Sequence, residues 1–111
     1  MNQSKRKGTA WESQVVDWLR ASGYLNVERR ALGGSNDRGD IAGIPGLVIE
    51  AKACKTIDLA GWISELIVEM ANDDAETGVI LAKRRGRTAV GEAYAILPAA
   101  LWLQLLKDAQ R

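Results

Sequence analysis

The sequence predicts one α/β domain, a mixed sheet flanked by helices in the order α-β-β-β-α-β-β-α. Three observations predict it. The chain is 111 residues long, the size of one compact domain. Apolar residues make up 47% of it, enough for one core. Helical stripes alternate with short apolar runs bounded by turn residues.

Residues 1–8, MNQSKRKG, read as a flexible basic arm. A helix is expected from about Ala10 to Ala21, with Thr9 as N-cap and Ser22-Gly23 as its stop. YLNVERRAL and DIAGI read as strands separated by the turn-rich GGSNDRG. Pro45-Gly46 makes a tight reversal into a third strand, LVIEAKA, whose apolar run is nearly continuous. A long helix is expected from about Ile57 to Glu76. GVILAKR and GEAYAIL follow as strands, and PAALWLQLLKDA as a final helix with proline in its first turn. On the second helix, Leu59, Ile63, Leu66 and Met70 fall within about 60° of one another at 100° per residue, the expected buried stripe. Asp58, Glu65 and Glu69 fall in a separate arc, expected to face solvent, with a metal site as the alternative. Trp62 and Val68 lie outside the stripe and hint at an interface.

Composition excludes several chemistries. The chain has no histidine and one cysteine, Cys54, so an intrachain disulfide, a zinc site of the usual N/S type and a histidine-assisted nucleophile are all out of reach. A metal would need oxygen ligands, which suits Mg²⁺ or Mn²⁺. No apolar run approaches the ~18–20 residues of a membrane span, and no signal-peptide core opens the chain, so a cytoplasmic protein is expected.

The net charge of +1 is unevenly spread. Between Thr56 and Thr77 there are six acidic residues and no basic one. The remainder holds fifteen basic against eight acidic residues, a net of +7. Lys5-Arg6-Lys7, Arg29-Arg30 with Arg38, and Lys83-Arg84-Arg85 with Arg87 are candidate contacts to a polyanion, DNA above all.

The chemistry-bearing residues sit around RGDIAGIPGLVIEAK. Alternation along a strand puts Val48, Glu50 and Lys52 on one face and Leu47, Ile49 and Ala51 on the other, core-facing one. A hairpin at Pro45-Gly46 brings Asp40 opposite or diagonal to Glu50, near enough for both carboxylates to share a divalent ion. The plain alternative is a surface salt bridge between Glu50 and Lys52. Glu12 falls within the apolar arc of Trp11, Val15, Val16, Trp18 and Leu19. A carboxylate there either coordinates or closes a capping box on Thr9.

Together, KGTAWE (Lys7 to Glu12), RALGGSNDRGDI (Arg30 to Ile41) and EAK (Glu50 to Lys52) resemble the PD-(D/E)xK nuclease superfamily, in particular the archaeal-type and phage Holliday junction resolvases. The resemblance implies a restriction-endonuclease-like fold and Mg²⁺-dependent endonuclease activity on branched DNA, with Mn²⁺ able to substitute. It implies a catalytic set of Glu12, Asp40, Glu50 and Lys52, with Ser35 from the loop before the aspartate and Asp37 a rival for that place. It implies metal ligation by Asp40, Glu50, the Ala51 carbonyl and Glu12, and a homodimer that cuts both strands of a junction. Gly39 stands where the superfamily's name has proline. Two other readings are a related small nuclease acting on flaps, ends or duplex, and a nucleic-acid-binding module without turnover.

Overall fold

The computed structural model describes residues 3–30 and 38–110, with residues 3–7 traced as backbone. Its elements are α1 (Gln3–Ala21), β1 (Glu28–Arg29), β2 (Ile41–Ala42), β3 (Leu47–Lys52), α2 (Leu59–Asn72), β4 (Thr77–Ala82), β5 (Tyr94–Ile96) and α3 (Ala99–Ala109), with a single 3₁₀ turn at Val90–Glu92 before β5. The five strands form one mixed sheet in the order β1-β2-β3-β4-β5. Only β3 and β4 run parallel, and α2 is the crossover between them. No helix among the described residues is long and apolar enough to cross a membrane.

The core has two layers because β3 is covered on both faces. Val48, Ile49 and Glu50 are consecutive, and all three are buried. Ile49 packs with Ile41, Val27, Trp11, Val15 and Val16 beneath α1. Val48 packs with Ile80, Ala82, Trp62 and Leu66 beneath α2. The face that carries Glu50 and Lys52, expected to lie away from the core, is therefore roofed by α2. Gly78 lets that roof sit close: a Cβ there would come within 2.9 Å of both Leu66 Cδ1 and Met70 Sδ.

Several expectations are corrected. α1 begins at Gln3, so Thr9 lies inside the helix and caps nothing. The residues expected as an arm supply, from Gln3, the helix's first turns. Lysine and arginine are good helix formers, and one Gly8 is a tolerable cost. Trp18, placed in the apolar arc, is 42% exposed. Of the strand expected over YLNVERRAL, the described residues 24–30 form strand only at Glu28–Arg29, and Leu25 stands in solvent.

α2 is shorter than expected. Asp58 is its N-cap, its side chain accepting from the Gly61 N–H at 3.0 Å. Asp74, at φ 51°, turns the chain away after Asp73. The buried face is Trp62, Leu66 and Glu69, while Leu59 is 52% exposed. The helix is rotated because Trp62, the largest apolar side chain available, takes the contact with the sheet and carries Glu69 inward with it. Trp62 is thus core, not interface, and Val68 stays exposed.

Candidate active site

The site is built where β2, β3 and α1 meet. The antiparallel register pairs Ile41 with Ile49, so one residue back Asp40 stands opposite Glu50. The ladder is held there by the Asp40 N–H donating to the Ile49 carbonyl at 3.1 Å. The Asp40 Oδ2 accepts from the Ala51 N–H at 2.9 Å, which aims the carboxylate along β3. Gly39 makes the approach possible. Its φ is +98°, and a Cβ there would press on Val48 Cγ1 and the Ile49 carbonyl. Proline, fixed near −65°, does not fit this backbone, so the turn before Asp40 calls for glycine at position 39.

Glu12 reaches the site from α1. Burial and the nearby Asp40 charge raise its pKa, against the opposing effect of Arg29. Arg29 holds Glu12 Oε2 through Nε at 3.1 Å and a second guanidinium nitrogen at 3.0 Å. With Thr9 inside the helix the capping-box alternative falls. Glu12 faces Asp40 and Arg29 instead.

Lys52 Nζ lies 2.8 Å from Glu65 Oε2, 3.7 Å from Glu50 Oε2 and 5.9 Å from the centre of the Trp62 ring. Burial works against its charge, but the Glu65 hydrogen bond and the charges of Glu50, Glu65 and Asp40 outweigh it and raise its pKa. Lys52 is therefore held as a cation and donor beside Glu65. The Lys52–Glu50 contact is present at 3.7 Å, but Glu50 is buried with its pKa pushed up, so the close ionic partner of Lys52 is the exposed Glu65 at 2.8 Å.

Glu69, expected to face solvent, is instead turned into the core. It is 2% exposed, and it closes with Glu50 and Glu65 into a group whose carboxylate oxygens lie within 4.8 Å of one another. Burial, the facing Glu69 carboxyl group and the Asp40 charge push the Glu50 pKa up to about 11, against the opposing effect of Lys52. The missed signal was the spacing of Trp62, Leu66 and Glu69 at i, i+4 and i+7, one helical stripe ending in an acid.

The basic candidates divide. Arg30 and Arg38 both approach Asp73 Oδ1, at 3.9 Å each, and Arg29 is held by Glu12. Lys83, Arg84, Arg85 and Arg87 are exposed in the turn after β4. The Lys83 N–H donates to the Lys52 carbonyl at 2.8 Å, so this turn begins at the site's own rim. Arg84 lies over the Tyr94 ring at 5.9 Å. Lys5, Arg6 and Lys7 fall in the first turns of α1. Ser35 and Asp37 lie outside the described residues.

Comparison with protein-family models, curated proteins and solved structures finds no match to this chain.

Proposed function

We propose that the chain is a Mg²⁺-dependent DNA endonuclease that hydrolyses phosphodiester bonds in branched DNA, four-way junctions first among them. The observation that carries this reading is Asp40 set opposite Glu50 across the β2–β3 pairing, with Lys52 Nζ 3.7 Å from Glu50 Oε2 and Glu12 of α1 near enough for the Asp40 charge to raise its pKa. These are the four residues that the resemblance to the resolvases singles out.

The residues fit a hard divalent cation. Their donors are all oxygen, and no nitrogen donor among the described residues reaches Glu50 Oε1, which is buried. Asp40, Glu50 and the Ala51 carbonyl would hold the ion, with Glu12 a direct or water-mediated ligand. When bound, the ion supplies a water of lowered pKa and charge stabilisation at the phosphate. Lys52, kept charged by its acidic neighbours, orients that water or meets the charge developing on the phosphate. The basic turn at Lys83–Arg87 tracks the DNA backbone beside it. Cutting both strands of a junction calls for two copies of the chain.

The test is nicking of a synthetic four-way junction in Mg²⁺ or Mn²⁺, against linear duplex and a chelator control. Metal-dependent nicking of the junction supports the reading. Cleavage of flaps or ends alone would reassign the substrate, and tight binding without any cleavage would leave a DNA-binding module.

A further inference from the structure

Lys52, Ala82 and Tyr94 are register partners across β3, β4 and β5. Partners in a sheet project from the same face, so these residues stand in one row. Ala82 packs with Trp62 and Leu66, which places the row on the α2 side of the sheet. Adjacent strands lie about 4.8 Å apart, so the Tyr94 backbone is roughly 10 Å from that of Lys52. Only the small side chain of Ala82 stands between them. The row runs from the candidate site to the edge strand and ends in an aromatic ring.

Tyr94 adds little to the core. Ala93 and Ile96, on either side of it, pack against the core clusters, whereas Tyr94 is 45% exposed. The chain beside it is strongly basic. No acid occurs between Glu76 and Glu92, and Lys83, Arg84, Arg85 and Arg87 all fall in that interval. The Arg87 N–H donates to the Arg84 carbonyl at 3.1 Å, with Gly86 at φ 76°, so a tight turn displays these cations. Arg29, Arg30 and Arg38 are held by carboxylates. Among the described residues, none of the cations in this turn is ion-paired. The Arg84 guanidinium rests over the Tyr94 ring at 5.9 Å, so a flat group already sits against that ring.

We infer that Tyr94 is a stacking platform for an unpaired nucleobase of the DNA strand whose phosphate lies at Lys52. The strand's path rests on the proposed function, but the stack itself needs no cleavage. An aromatic face beside cations that follow a phosphate backbone is the general means of holding single-stranded nucleic acid. Within a duplex both faces of each base are covered by its neighbours, so the ring engages only DNA with an unstacked base. An open branch point or a single-stranded end supplies one. Tyr94 thus gives the site a way to choose branched over linear DNA, which phosphate contacts alone lack.

Binding is measured on the full chain in chelator, so that no strand is cut. The probes are a single-stranded oligonucleotide carrying a fluorescent aminopurine base, a four-way junction and a blunt duplex. The wild type should change the aminopurine emission on binding. Tyr94→Ala should abolish that change and weaken single-strand and junction binding about 5- to 100-fold, with duplex binding unaltered. Tyr94→Phe keeps the ring and should bind as wild type does, whereas Tyr94→Leu, apolar but without a π face, should fail as alanine does. The salt slope should stay the same in all three variants, because stacking releases no counterions. Circular dichroism checks each fold, and if Tyr94→Ala unfolds, Tyr94→Leu and Tyr94→Phe decide. Single-strand binding undiminished in Tyr94→Ala, an equal loss on duplex, or a Tyr94→Phe as weak as alanine would overturn the inference. Ring-dependent binding in a protein that nicks no DNA would sink the proposed activity and leave the stack standing. Junction nicking in a protein whose binding ignores Tyr94 would do the reverse.

Discussion

Glu69 of α2 sets its carboxyl group against that of Glu50 in β3, and both residues are almost fully shut off from solvent. Two acids facing each other in a core destabilise a fold unless a proton or a cation comes between them. Replacing buried ionisable groups with apolar residues of similar volume is often neutral or stabilising by about 1–4 kcal/mol. Glu69→Met is therefore expected to raise the melting temperature of the protein in chelator. A clear drop would show that Glu69 supports the fold through its own contacts.

The same pair predicts how stability depends on pH. Glu50 stays protonated in the fold up to about 11, whereas in the unfolded chain it releases its proton near 4.5. Over that interval the folded state binds more protons, so its contribution is complete below 4.5 and is lost as pH rises toward 11. Urea midpoints in chelator should fall with rising pH, and Glu50→Gln should flatten the trend. Because a bound cation displaces this proton, stabilisation by Mg²⁺ should grow as pH rises. A midpoint that climbs with pH in wild type and variant alike would contradict this account.

Asp40→Asn and Glu50→Gln each remove a charge at nearly constant volume, and an asparagine at position 40 can still accept from the Ala51 N–H. Nicking should collapse while junction binding persists, since phosphate contacts elsewhere carry most of the affinity. Gel-shift and cleavage assays on one protein batch separate the two. Wild-type turnover in either variant would remove that residue from the metal site.

For Glu12→Ala the structure narrows the expectation. With Thr9 inside α1 there is no cap to lose, and the Arg29 pair is 45% exposed on the arginine side, worth at most about 1 kcal/mol. Cleavage should be lost with little change in melting temperature. A protein that melts far lower but cuts normally would assign Glu12 a structural role.

The turn at Lys83–Arg87 predicts a salt effect. Each phosphate contact contributes a slope of about 0.9 in log K against log[salt] for duplex DNA. Replacing Arg84, Arg85 and Arg87 with alanine should flatten the slope by up to ~3 and weaken junction and duplex alike. Fluorescence anisotropy at several salt concentrations measures it. An unchanged slope here and in a Lys5/Arg6/Lys7 triple variant would place the DNA elsewhere.

By itself, the sequence determined the order of the helices and strands, because periodicity and turn residues act over a few neighbours. The Pro45-Gly46 reversal likewise brought Asp40 and Glu50 together on paper, since a hairpin register needs only local counting. What the tertiary structure decided was which face of each helix meets the sheet. Trp62 outcompeted Leu59 for the sheet, rotating α2 and burying Glu69. α1 started six residues before its expected cap, which freed Glu12 to face Asp40 and Arg29. The physical reason is common to both. Helical periodicity gives an arc of candidate contacts, but its orientation follows from the area each side chain covers on a partner surface that exists only once the sheet has formed.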